Sequence, residues 1–229
     1  MTDTLIHIPE TTLPGGRVVP AFRLGAYLCS LGPDGRAQIN ADGTPWVRID
    51  YHEARAACEA IGGSLITESQ ALALALHLAA QPGNWTEGAV GEGDLRQGLR
   101  KGSVRSVQPG TYEPADPDER RWHVTADGTR IYDTAGNALT WVFDDIQGDD
   151  EGLVARPFAE DSPSIITAPY PSMTRGMGWR PSAGSDGSGY ALVRGGYWSD
   201  DAYAGVFGLG DDWPDLRYGH VGFRCTFGL

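Results

Sequence analysis

The stretch Gly189-Tyr-Ala-Leu-Val-Arg-Gly-Gly-Tyr-Trp198, followed after a short interval by Val221-Gly-Phe-Arg-Cys225, decides how this chain is read. Both blocks are apolar and punctuated by glycine, as framework strands are. The run between them consists almost wholly of Tyr, Asp, Gly, Ala, Leu, Trp, Ser, Arg and His. Tyr and Trp supply rigid amphipathic contact area at low entropic cost, and Ser, Gly and Asp supply adaptable polar contacts. A fixed scaffold presenting a recognition surface is the expectation. The competing reading makes the same segment a set of glycine-rich hairpin loops whose tyrosines cover the core.

Upstream, the firmest local signals are two helices. Asp50 with Glu53 forms a capping box, and Ala54, Ala57, Cys58 and Ile61 recur at helical spacing until Gly62-Gly63. Thr67 with Gln70 forms a second box ahead of an Ala/Leu-rich run to Ala80, which Pro82-Gly83 breaks. Residues 17–31 predict one or two short strands, and Trp122-His-Val, Arg130-Ile-Tyr-Asp and 137–143 predict further ones separated by turns. Residues 84–118 and 158–188 lack periodicity and read as irregular, the first as an ordered surface excursion. With 229 residues, 32 Gly and 15 Pro, a single loop-rich α+β domain is expected.

Charge excludes some partners. Thirty acidic against 18 basic residues leave a net charge of −12. Between Gly195 and Leu229, five Asp face only Arg217 and Arg224. A nucleic-acid surface needs clustered cations, so that partner class is not expected. No secretory signal is visible in Met-Thr-Asp-Thr-Leu-Ile-His-Ile-Pro, and no apolar run approaches membrane-spanning length. The expectation is a chain without membrane insertion, cytoplasmic as made or incorporated into a virion. Cys29, Cys58 and Cys225 lack metal-type spacing and read as buried thiols, with Cys58–Cys225 and Cys29–Cys225 bridges as alternatives.

Five blocks in order carry a resemblance: 45–58, Gly62-Gly-Ser-Leu-Ile-Thr-Glu68, Tyr132-Asp-Thr-Ala-Gly-Asn-Ala-Leu-Thr-Trp141, Leu192-Val-Arg-Gly-Gly-Tyr-Trp198 and Gly222-Phe-Arg-Cys225. Together they resemble the formylglycine-generating-enzyme (sulfatase-modifying factor) family. That resemblance implies a C-type-lectin-like α+β fold with two helices, twisted antiparallel strands and much irregular loop. The family's oxidases carry a copper-binding cysteine pair just after Arg-Gly-Gly. Residues 197–220 contain no cysteine, so a copper-dependent oxidase with a divergent site is the secondary expectation.

A second branch of the fold, the variable proteins of diversity-generating retroelements, is more similar: Arg-Gly-Gly-x-Trp, a hypervariable run, then Gly-Phe-Arg-Cys. In that branch adenines of Asn-type codons are randomised, which never yields Lys, Glu, Gln or Met, and residues 195–225 contain none of these. The resemblance implies a ligand-contacting set of Tyr197, Ser199, Asp200, Asp201, Tyr203, Gly208, Gly210, Asp211, Asp212, Asp215, Arg217, Tyr218, Gly219 and His220, about residues 197–220. Trp213 joins them as an aromatic able to contact a ligand although its codon does not arise by adenine change. Trp198, Val206, Phe207, Val221 and Phe223 are the expected framework. The implied partner is a protein or cell-surface ligand bound by a phage- or prophage-displayed protein, with no enzyme activity.

No cofactor is required on this reading. Family resemblance also implies a structural calcium near Asn84, Trp85 and Asp94. The pairs Asp200-Asp201 and Asp211-Asp212 suit solvated loop carboxylates better than acid–base chemistry. Gln81-Pro-Gly and Trp198-Ser-Asp200 match sugar-binding lectin motifs too poorly for that function. The five His are scattered without metal-ligand spacing, and no Walker loop, dinucleotide fingerprint or nucleophile elbow occurs.

Overall fold

The computed structural model describes residues 4–166 and 174–229. In chain order its strands begin with β1 (Leu5–Ile8), β2 (Thr11–Thr12), β3 (Val18–Val19), β4 (Phe22–Gly25), β5 (Ser30–Leu31) and β6 (Ala37–Gln38). Helix α1 (Tyr51–Glu59), β7 (Ser64–Leu65) and helix α2 (Glu68–Ala79) follow. The rest are β8 (Trp122–Val124), β9 (Arg130–Tyr132), β10 (Leu139–Val142), β11 (Ala191–Arg194), β12 (Leu209–Asp212), β13 (Val221–Phe223) and β14 (Cys225–Phe227).

Both helices start where the sequence predicts. Asp50 accepts from the Glu53 N–H at 2.9 Å while the Glu53 carboxylate accepts from the Asp50 N–H at 3.3 Å. Thr67 and Gln70 make the same reciprocal pair at 3.2 and 3.0 Å. Helix α2 is buried on nearly every side, which is why its Ala/Leu run shows no polar stripe.

Two four-stranded sheets form the frame, in the orders β1-β4-β14-β7 and β12-β11-β10-β13. Pairing is antiparallel throughout, except that β13 runs parallel to β10. Strand β1, which no local signal predicted, pairs with β4 in the register Leu5↔Gly25. Strand β12 was also unforeseen; it lies inside the run read as recognition surface. Only Arg224 separates β13 from β14, so the chain steps from one sheet to the other at that residue. Its buried guanidinium donates to the carbonyls of Gly25, Tyr132 (2.6 Å) and Asp133 (3.3 Å). Burial pulls its pKa down to about 10, which still leaves it a cation at neutral pH.

Cys58 of α1 and Cys225 of β14 are disulfide-bonded with their Cα atoms 5.4 Å apart, which corrects the reading of three buried thiols. The bridge closes a sequence separation of 167 residues, and closing a loop of that size removes about 5 kcal/mol of chain entropy from the unfolded state. Cys29 is fully buried beside it, its sulfur 3.3 Å from that of Cys225.

Two buried ion pairs tie loops to this frame. Arg194, the last residue of β11, meets Glu68, the first residue of α2: Nε donates to Oε2 at 2.6 Å, Nη2 donates to Oε1, and Nη1 donates to the Phe207 carbonyl at 3.1 Å. Arg121 holds Asp133 bidentately at 2.9 and 2.6 Å and also donates to the carbonyls of Gln108, Pro109 and Tyr112. Residues 84–118 are thereby an ordered excursion, as expected.

Two tests follow. Glu68→Ala leaves a buried guanidinium uncompensated, and a loss of about 3–5 kcal/mol in a denaturant titration is expected. His123 is fully buried, its Nε2 2.8 Å from the Arg96 carbonyl oxygen and its Nδ1 2.8 Å from Thr134 Oγ1. Burial lowers its pKa from 6.5 to about 4. The unfolded chain therefore takes up this proton first, so the His123 contribution is complete above pH 6.5 and is lost as pH falls toward 4. Comparing stability–pH slopes of the native protein and His123→Gln should show a difference confined to that window and amounting to about 3 kcal/mol.

Candidate functional site

Strand β11 ends at Arg194, and the chain then turns through Gly195 (φ +95°) and Gly196 (φ +86°). A Cβ on Gly196 would sit 2.6 Å from the Ala204 Cα, so only glycine fits where the loop doubles back. Gly195 donates to the Gly208 carbonyl and accepts from the Gly205 N–H, closing the loop's base. Half-buried Trp198 is held through its main chain, donating to the Asn137 carbonyl at 3.2 Å and accepting from the Gly102 N–H at 2.9 Å. The expected framework residues Val206, Phe207, Val221 and Phe223 are each at most 5% exposed.

Most of the candidate residues lie outward of that frame, in three linked groups. Asp200, Tyr203, Gly208, Gly210, Asp211 and Asp212 line a hollow of about 260 Å³. Beside it the His220 ring stacks between Tyr197 (centroids 4.4 Å, planes at 29°) and Tyr218 (5.1 Å, 20°). The groups join where the Asp212 charge acts on His220 and where Asp200 accepts from the Tyr197 N–H at 3.2 Å. The third group leans on α1. Arg217 donates to Asp50 at 3.0 Å and Glu53 at 2.6 Å, Asp215 lies 4.0 Å from His52, and Gly219 is backed by the Arg48 guanidinium. Ser199 and Asp201 are exposed, and exposed Trp213 packs on Tyr190 with centroids 4.6 Å apart. Gly208 departs from the expectation of a side-chain contact: it is buried, and a Cβ there would come 2.9 Å from the Gly205 carbonyl oxygen.

Sequence reasoning missed Trp179. It is 39% exposed and lines the same hollow, although it belongs to a Pro/Gly-rich stretch with no periodic signal. Its one local cue was the surrounding Gly176-Met-Gly178, which permits close backbone approach.

Electrostatically the hollow is under tension. Desolvation raises the pKa of Asp200, Asp211 and Asp212, with the Asp212 charge adding to the effect on Asp211. Desolvation also lowers His220, although Asp212 pulls the other way.

Of the residues with which the resemblance places calcium, Asn84 and Trp85 bind backbone carbonyls through their side chains, and Asp94 is held through its main chain. Asn84 is fully buried; its Nδ2 donates to the Leu78 and Val124 carbonyls, and its Oδ1 accepts from the Val124 N–H at 2.8 Å. Trp85 donates through Nε1 to the Ala79 carbonyl, and the Asp94 N–H donates to Thr86 Oγ1. Among the described residues no three His, Cys, Asp or Glu side chains gather as a metal site. What the structure shows at Asn84 is a clasp on the backbone.

Solved structures with the same layout identify the architecture. Treponema denticola variable protein 1 superposes with a TM-score of 0.55 at 13% identity, over 99% of this chain and 95% of that one. PvdO from Pseudomonas aeruginosa gives 0.53 at 15% identity, over 98% and 94%. CarF gives 0.53 at 10% identity, over 100% and 99%. The fold is C-type-lectin-like, in its formylglycine-generating-enzyme form. No protein-family model and no curated protein matches the sequence. Within this C-type-lectin-like frame the segment after Arg-Gly-Gly alternates exposed residues with a buried run, Ala204 to Leu209, and contributes strand β12. Among the described residues no helix is long and apolar enough to cross a membrane.

The raised carboxylates give a direct test. A carboxylate whose folded-state pKa exceeds 3.8 opposes folding at neutral pH, and the opposition fades as pH falls and the group protonates. The triple substitution Asp200→Asn, Asp211→Asn, Asp212→Asn is expected to raise the thermal midpoint at neutral pH. The gain over the native protein should shrink on acidification toward pH 3.8.

Proposed function

We propose that this protein is a ligand-binding module whose recognition surface is the patch from Tyr197 to His220, diversified by a retroelement and displayed on a phage or prophage-encoded structure. The observation that carries the reading is the division of labour along one segment. Val206, Phe207, Leu209, Val221 and Phe223 are at most 5% exposed, while Tyr203 and Trp213 on the same segment are 63% and 59% exposed. The outward side chains of Tyr203 and Trp213 can therefore change without touching that buried set. The likeness in fold to a protein titled a variable protein supports the same reading.

Affinity on this model comes from a few aromatic anchors, each costing about 2 kcal/mol or more on truncation to alanine. Asp and Ser around them set specificity. Many displayed copies convert weak contacts into useful avidity. An oxidase with a divergent site is disfavoured because Cys29, Cys58 and Cys225 are all fully buried, two of them joined to each other. No thiolate is thus presented for copper or for a substrate thiol.

Replacing Tyr197, Tyr203, Tyr218 and His220 together by serine should abolish adsorption of the displaying particle to its host while leaving the thermal midpoint within a few degrees of the native value. A near-identical template repeat beside a reverse transcriptase gene, with adenines at the patch codons, is the expected genomic counterpart. Adsorption that survives the fourfold replacement would turn the protein into a structural subunit.

A further inference from the structure

Trp179 lies outside the segment proposed to vary, yet it is bolted to it. Its N–H donates to the Tyr203 carbonyl at 2.9 Å, and its carbonyl accepts from the Leu209 N–H at 2.8 Å. Behind it the two backbones run in contact: a Cβ on Gly178 would lie 2.8 Å from the Gly208 main chain, and one on Gly205 would lie 2.4 Å from the Gly178 nitrogen. No side chain can intrude there, so the Trp179 backbone, from which the indole projects, is held in place however the neighbouring loop is decorated.

Trp179 and Tyr203, 39% and 63% exposed, together wall two adjoining hollows. One, of about 430 Å³, carries Asp94, Gln97 and Arg175. The other, of about 260 Å³, is lined by Asp200, Asp211 and Asp212, of which Asp211 turns its carboxylate to the opposite face of β12 beside Gly187, and among the described residues no Lys, Arg or His side chain lines it. Aromatic faces bearing negative quadrupoles beside partly desolvated carboxylates favour a cation over any neutral or anionic group. The exposed Trp213 and the Tyr197–His220–Tyr218 stack extend contact area well past the hollow. A small amine would leave that area uncovered, and a protein surface would cover it.

We propose that Trp179 is the fixed aromatic anchor of the recognition patch, and that the hollow it shares with Tyr203 receives an arginine or lysine side chain protruding from a partner protein. This rests on the patch being a recognition surface and adds which ligand chemistry it accepts. The anchor stays constant across variants, and changes at positions 200, 203 and 212 retune the socket around it.

The test uses the full chain with ¹⁵N-labelled tryptophan, titrated with the acetylated tripeptide amides Gly-Arg-Gly, Gly-Lys-Gly and Gly-Glu-Gly. The Trp179 indole signal is assigned by its loss in Trp179→Phe. The basic peptides should shift it saturably with millimolar affinity, less so as salt rises, and the acidic peptide should not. Asp200→Asn with Asp212→Asn should weaken binding about fivefold or more. A Trp179 signal unmoved by the basic peptides, or moved equally by the acidic one, overturns the proposal. In that event, loss of host adsorption on the fourfold serine replacement still upholds the patch, whereas adsorption that survives it removes the patch as well.

Discussion

The Arg194–Glu68 pair is the constraint on which the rest of the molecule depends. Each ion is at most 4% exposed, and taking two charges out of water is repaid only by close bidentate geometry with the remaining donors satisfied. Here the spare donor goes to the Phe207 carbonyl. One guanidinium thus fixes the start of α2, the end of β11 and the middle of the surface loop. Arg121 and Arg224 do equivalent service elsewhere, Arg121 joining the carbonyls of 108–112 to Asp133 and Arg224 joining the Gly25 carbonyl to those of 132–133. In a chain whose strands are two to four residues long, ladders supply few hydrogen bonds, and arginine's five donors replace them.

Against that rigid interior the patch is made of groups the fold would be better without. Desolvated carboxylates and exposed aromatic rings contribute nothing to the core. Their cost is tolerable because the disulfide, the buried pairs and two apolar clusters carry stability independently.

Legibility in the sequence followed the range of the forces involved. Both helices were readable because capping boxes are local: Asp50 with Glu53 and Thr67 with Gln70 settle their own geometry. Strands β11 and β13 were readable from apolar runs beside Gly-Gly and Gly-Phe-Arg. Strand β1 was not, since it exists through pairing with β4. Strand β12 was harder still: Leu-Gly-Asp-Asp has poor intrinsic strand preference and is imposed by β11. Cysteine spacing left several pairings open, and only the packing of α1 on the last strand chose Cys58. In the candidate site, the outward aromatics were visible as a composition, whereas Trp179 was hidden because its place depends on glycine contacts between segments far apart in the chain.

Strand β12 also sits at the rim of its sheet. Such a rim offers unpaired main-chain groups to any second copy, a common route to clumping. Leu209 is already occupied on its outer side by the Trp179 main chain, and Asp211 and Asp212 put negative charge on the remainder. The same carboxylates that burden folding therefore keep the open edge charged, so a variant that replaced both with apolar residues would present an edge prone to pairing with a second copy.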